Sequence, residues 1–391
     1  MIAFAHEREH AALDEARART LELVSPLDDD AWCAWPDPDF SPIAWHLGHL
    51  AFTQASWVLE RLLGDDRLSQ PFARRYAQDG RPKHERAEGF EREATLRYLD
   101  EVRDALRVAW RKLDRRHDLV REGYLVWFLA CHEHQHRETI AIVRAATVAT
   151  TPAPPLAPVE AELAPPRTLE FPTTRVRIGT DAYASYDNER PSLEVEVPAF
   201  AIASRPVCVG EWLAFVHDDG YRRDELWCDA GRRWREARGI RRPSSWGDTA
   251  LATPRGWRPL DPRLPVHGVS AFEADAFARW CGARLPTEDE WELAARSNPQ
   301  PVDPPTYAPV VARNAHFLGG VWEWTSSAFA ARPGFRPFPY RGYSEPWFGD
   351  HRVMRGGSFA TDPAIATASF RNFYVPETRA CFVGLRLAWD R

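Results

Sequence analysis

At 391 residues the chain is longer than one ordinary hydrophobic core organises, so two domains are expected, and 44% hydrophobic with 12% aromatic residues excludes a largely disordered protein. A formal net charge of −6 offers no general attraction for nucleic acid or an anionic membrane. No run approaches the roughly 18 apolar residues that span a bilayer. The opening MIAFAHEREH turns charged before any apolar stretch develops, so no secretory signal reads from it and a cytoplasmic protein is expected. Cysteines stand at 33, 131, 208, 228, 281 and 381 without C-x-x-C spacing, which favours separate thiols over a zinc knuckle or a disulfide framework.

Residues 1–148 read as helical. One helix is predicted near 8–24, and a second starts at Ser41-Pro42, a capping residue followed by proline in the first turn. A third carries Leu96, Leu99, Val102, Leu106, Trp110 and Leu113 at three-and-four spacing, and a fourth runs over about 120–147. Helices of this length predict an antiparallel four-helix bundle, whose interior commonly holds metal sites. Residues 149–166, ATTPAPPLAPVEAELAPP, read as a stiff proline-rich linker. From 167 to 391 short β-like runs (RVRIG, LEVEVPAFAIA) alternate with Trp, Gly and Pro, and 271–296 supplies two helices separated by RLPTEDE. This half is predicted to be α+β with much irregular loop.

The main chemical signal is His132-Glu133-His134-Gln135-His136. Residues four apart share a helix face, and His132 and His136 continue the stripe Leu125, Phe128/Leu129, Ile140, Val143. Imidazoles facing a core are costly unless something satisfies them, and a metal does so. A third ligand is expected from Trp45-His46-Leu47-Gly48-His49, where periodicity leaves His46 and His49 equally eligible. Three neutral imidazoles suit Fe(II), Zn(II) or Cu(II). His132-Glu133-x-x-His136 is also H-E-x-x-H, the zincin pattern, and predicts a zinc hydrolase with Glu133 as general base.

SPIAWHLGHLAF followed by HEHQHRE resembles the DinB-like bundle of the ergothioneine-type sulfoxide synthases. PVHGVSAFEADAFARWCGARLPTEDEWELAAR, GGVWEWTSS, RVMRGGSFA, FRNF and VGLRLA resemble the formylglycine-generating-enzyme and sulfatase-modifying-factor fold, a C-type-lectin-like α+β domain. The resemblance covers nearly the whole chain. It implies Fe(II) held by His49, His132 and His136, with Gln135 and Glu138 orienting ligands, and a site between the domains. It places Arg371, Asn372, Phe373 and Tyr374 at the pocket for hercynine (trimethylhistidine), and Tyr340 or Tyr343 as a proton donor. One family branch has Trp then Asp where this chain has Phe373 and Tyr374.

Lys83 and Arg86 sit where the γ-glutamylcysteine branch has two arginines. Lysine lacks the bidentate fork, which points to cysteine as the thiol donor. Cys381 has no cysteine nearby in the sequence, unlike the paired cysteines of the formylglycine-generating oxidases. The implied activity is O2-dependent joining of a thiol to hercynine. A selenosugar donor, as in selenoneine synthases, and a non-catalytic module that recognises a cationic amino acid are the alternatives within the fold.

Overall fold

The computed structural model describes residues 2–157 and 159–391, with side chains from His10 onward. It divides into two compact units, Met1–Thr150 and Thr151–Arg391.

The first unit is a bundle of α1 (Ile2–Val24), α2 (Ile43–Gln54), α3 (Arg92–Ala109) and α4 (Tyr124–Ala149). α1 packs along α4, and α2 packs against both α3 and α4. The stripe on α3 buries Leu99, Val102 and Leu106, and Trp110 follows in a 3-10 turn. α2 is apolar on every side and correspondingly buried from Ile43 to Ala51, as expected of a central helix. Its start differs from the sequence reading. Pro42 precedes the helix without a side-chain cap, and the Ser41 hydroxyl accepts from Arg86 Nη1 at 2.6 Å instead. α2 continues into a π-helical turn over Ala55–Glu60, a widening often found beside functional sites.

The second unit combines small sheets with short helices. A four-stranded sheet runs in the order Val383–Leu385, Trp322–Ala328, Arg352–Arg355, Asn372–Tyr374, and a three-stranded sheet joins Thr168–Phe171, Phe200–Ala203 and Ala388–Asp390. The helices Ala271–Trp280 and Glu288–Ser297 flank RLPTEDE, each opened by a capping box, Ser270 with Glu273 and Thr287 with Glu290. Phe200, Ile202, Trp291, Phe317 and Ala388 form part of the core. Beside them lie buried ion pairs. Arg386 grips Glu323 through two bonds of 2.8 Å, and Trp291 Nε1 donates to the same carboxylate at 2.7 Å. Arg355 pairs with Glu292, and Arg371 with Glu288. Additional hydrogen bonds, such as those Trp291 gives Glu323 and the Gly179 N–H gives Glu292, offset the cost of burying such charges.

Residues 151–157 and 159–167 form neither helix nor strand. This segment is not a free spacer: Thr151 Oγ1 accepts from Trp257 Nε1 at 3.0 Å, and the Ala164 carbonyl accepts from Arg205 Nη2 at 2.8 Å. The six cysteines are thiols and form no disulfide among the described residues. Among the described residues no helix is long and apolar enough to cross a membrane.

Candidate metal centre

His132 and His136 project from α4 and His49 from α2, and one ring nitrogen from each lies within 4.8 Å of the others. The ring centroids are 4.4 Å apart for His132–His136, 4.9 Å for His49–His136 and 5.3 Å for His49–His132. His49 Nδ1 donates to the Tyr76 carbonyl at 2.7 Å. The proton is therefore on Nδ1 and the lone pair on Nε2, which Thr53 Oγ1 approaches at 3.4 Å and which an ion could take instead. Gly48 makes the contact with Tyr76 possible. A Cβ there would lie 2.0 Å from Tyr76 Cε1, so only glycine lets the Tyr76 ring cross α2.

His46, the other candidate in this element, stands outside the triad. Its Nδ1 is 2.8 Å from His136 Nδ1. Burial pushes the His46 imidazole down to about 3, helped by His49 and Arg86, with the Ser41 backbone acting the other way. Burial takes His49 down to about 4 and holds His132 and His136 well below the usual histidine range. All four are neutral near pH 7, the form that binds metals.

Glu133 faces away from this chemistry. It is fully buried, and its carboxylate accepts from Arg17 Nε at 2.8 Å, Arg17 Nη2 at 3.3 Å and Gln54 Nε2 at 3.2 Å. A carboxylate saturated by a guanidinium and an amide is a poor general base, which removes the support for the H-E-x-x-H hydrolase. On the same helix Glu138 is buried, while His134 and Gln135 are half-buried.

The structure gives Lys83 and Arg86 different surroundings. Arg86 is 5% exposed, and each of its nitrogens is engaged within the protein: Nε with the Arg81 carbonyl at 3.0 Å, Nη1 with Ser41, and Nη2 with the Gln78 carbonyl. Its guanidinium carbon also lies 4.0 Å from the Trp45 ring centroid. Arg86 is thus committed to holding its loop on α2, and no fork remains for a substrate carboxylate. Lys83 is half-buried and gives one hydrogen bond, 2.6 Å to the Asp39 carbonyl. It is near enough to His46 to add to the lowering of that imidazole's pKa.

In the second unit Arg371 is likewise committed. It is 1% exposed, bidentate to Glu288 at 2.7 and 2.9 Å, and bonded to the carbonyls of Asn188 at 3.0 Å and Ala330 at 3.1 Å. Its guanidinium is thus held within the second unit by these bonds. Asn372 Oδ1 accepts the Phe373 N–H at 2.9 Å, and its side-chain amide has no protein acceptor among the described residues. Phe373 stacks on Phe329 at 3.9 Å, and Phe348 and His351 border the pair. Tyr374 is half-buried at the end of its strand. Tyr343 stacks on Tyr186 at 4.7 Å, whereas Tyr340 is 40% exposed. Sequence reasoning missed Tyr76 and the aromatic group around Phe329. Gly48 inside an apolar helix was the available signal for the first, since glycine there marks a close approach; the second had none.

A bundle that gathers three neutral histidines able to hold a metal ion, on a chain whose second unit is an α+β fold with small sheets, defines the class of two-domain protein. The DinB superfamily model matches residues 12–140, and the Sulfatase-modifying factor enzyme 1-like domain matches 160–303 and 313–391. The chain is 37% identical to the hercynine oxygenase of Mycobacterium tuberculosis, over 97% of each chain. It is 36% identical to the hercynine oxygenase of Mycolicibacterium thermoresistibile, over 100% of this chain and 96% of that one. The chain belongs to the hercynine oxygenase family, the ergothioneine-type sulfoxide synthases.

Proposed function

We propose that the protein is a non-haem Fe(II) oxygenase of ergothioneine biosynthesis that joins the sulfur of cysteine to the imidazole of hercynine using O2. The observation that carries this reading is the convergence of His49, His132 and His136 in a family whose named members are hercynine oxygenases. Three neutral imidazoles fit a divalent ion and leave coordination positions for substrates. A bound ferrous ion supplies the redox chemistry that lets O2 react with a thiol. The overall change balances: the imidazole C–H and the S–H lose their hydrogens, a C–S bond forms, one oxygen becomes sulfoxide and the other leaves as water.

The chain's own groups bind and orient. The Asn372 amide has two donors for the hercynine carboxylate or ring, and the ring of Phe373, beside Phe329 and Phe348, suits a quaternary ammonium. Of the two tyrosines, Tyr340 has the more exposed ring and is our choice for the proton donor. With Arg86 committed elsewhere, Lys83 is the remaining cation of that pair for a donor carboxylate. One such cation suits cysteine better than γ-glutamylcysteine, which carries two carboxylates.

Anaerobic reconstitution with Fe(II), followed by exposure to air with hercynine and either cysteine, γ-glutamylcysteine or a selenosugar, tests the proposal by mass spectrometry of the product. A hercynyl-cysteine sulfoxide is expected. Exclusive turnover of the selenosugar would move the assignment to selenoneine synthesis, and no O2 uptake with any donor would reject an oxygenase.

A further inference from the structure

We propose that His46 is a positioning residue for the metal centre: its bare Nδ1 accepts the Nδ1–H of His136 and so fixes the tautomer in which His136 presents Nε2 to the ion. The inference rests on the reading of His49, His132 and His136 as ligands.

Two ring nitrogens 2.8 Å apart share one proton, because two lone pairs or two N–H groups would repel at that distance. The direction of the bond decides whether the site works. If His46 donates, His136 carries its own proton on Nε2 and has no lone pair there. If His136 donates, its Nε2 lone pair is free and His46 must carry its proton on Nε2. His46 is 4% exposed, so water does not compete for Nδ1, and the Trp45 ring packs edge-on against it at 5.4 Å. Its Nε2 makes no hydrogen bond of ordinary geometry.

His49 has a parallel anchor in the Tyr76 carbonyl, with one difference. A carbonyl only accepts, so the His49 tautomer is set in the metal-free protein. An imidazole accepts or donates, so the His46–His136 proton is set in one direction only when an ion takes the His136 Nε2 lone pair. Partners of this kind orient ligands and raise their basicity, and losing one typically costs roughly 10- to 100-fold in metal affinity.

Co(II) is the probe, because imidazole N–H protons of a Co(II)-bound histidine are shifted far from the rest of the proton spectrum and exchange slowly when hydrogen-bonded. Wild type, His46→Leu and His46→Asn are titrated with Co(II) against a chelator, and the shifted exchangeable signals are recorded. The asparagine carbonyl can replace the Nδ1 acceptor, whereas leucine cannot. The expected result is a roughly 10- to 100-fold weaker Co(II) affinity in His46→Leu, with loss or fast exchange of one shifted signal, and recovery of most of both in His46→Asn. Undiminished affinity in His46→Leu with the signal intact would overturn the role of His46 while leaving the triad standing. Equal losses in both variants would reduce His46 to packing and also overturn it. Failure of the wild type to bind Co(II), or binding indifferent to His49→Ala, would instead overturn the metal-centre reading beneath it.

Discussion

The Trp45 indole lies nearly parallel to the His49 imidazole, with centroids 4.3 Å apart and 14° between the planes. The Arg86 guanidinium packs on that same indole, so one aromatic ring lies between the buried cation and His49. Arg86→Ala removes the stacked cation and leaves the partners of three nitrogens unpaired. A loss of about 3 kcal/mol is expected, or about 6–12 °C in Tm for a unit of this size. Lys83→Ala should leave Tm unchanged and raise the KM for the thiol. Thermal melts and thiol saturation curves on both variants check this. A thiol KM that responds to Arg86→Lys at unchanged Tm, and ignores Lys83→Ala, would restore the arginine as the substrate contact.

Gly48→Ala places a methyl carbon where the Tyr76 ring now sits. Overpacking of this kind costs about 1–3 kcal/mol, and the displaced Tyr76 carbonyl no longer holds His49 Nδ1. Lower stability and weaker metal binding are expected together. The same substitution should be milder in a Tyr76→Leu background, because the clash is with the ring. Additive effects in the double variant would place the cause elsewhere.

Asn372→Ala should raise the KM for hercynine on the order of tenfold or more, since a hydrogen bond to a charged group is worth about 1.5–3 kcal/mol, and leave the KM for the thiol nearly unchanged. Steady-state kinetics with each substrate varied in turn decides it. A hercynine KM equal to wild type would take Asn372 out of the pocket.

Acid should destabilise the second unit through His267. This imidazole is 1% exposed, lies between the rings of Phe359 and Phe382, and is pushed by burial down to about 4. In the unfolded chain it titrates near its ordinary value of 6.5. Between these values the unfolded chain takes up a proton that the folded protein refuses. Stability is therefore full above about pH 6.5 and falls as pH drops toward 4, by up to roughly 3 kcal/mol. Urea unfolding at pH 7, 6 and 5 should show a shallower pH dependence in His267→Leu. Equal slopes in variant and wild type would assign the acid sensitivity to other groups.

Helix periodicity by itself determined the bundle, the i, i+4 histidine pair and the stripe that carries it into the interior, because those properties depend only on spacing along one helix. The capping boxes at Ser270 and Thr287 close through bonds that span three residues, a local pattern that the sequence reading did not use. The phrases of the second half hold the partners of three buried ion pairs, Glu288 and Glu292 in RLPTEDEWELAAR, Glu323 in GGVWEWTSS, Arg355 in RVMRGGSFA, Arg371 in FRNF and Arg386 in VGLRLA. Their wording was legible, but the pairing was not. Only tertiary structure set the buried partners of His49, Arg86 and Arg371 and tied Glu133 to Arg17. In each case the deciding partner lies far along the chain: Tyr76 for His49, Ser41 for Arg86, Glu288 for Arg371. A buried polar side chain takes whatever hydrogen-bond partner the fold brings within about 3 Å, and local spacing carries no record of that partner.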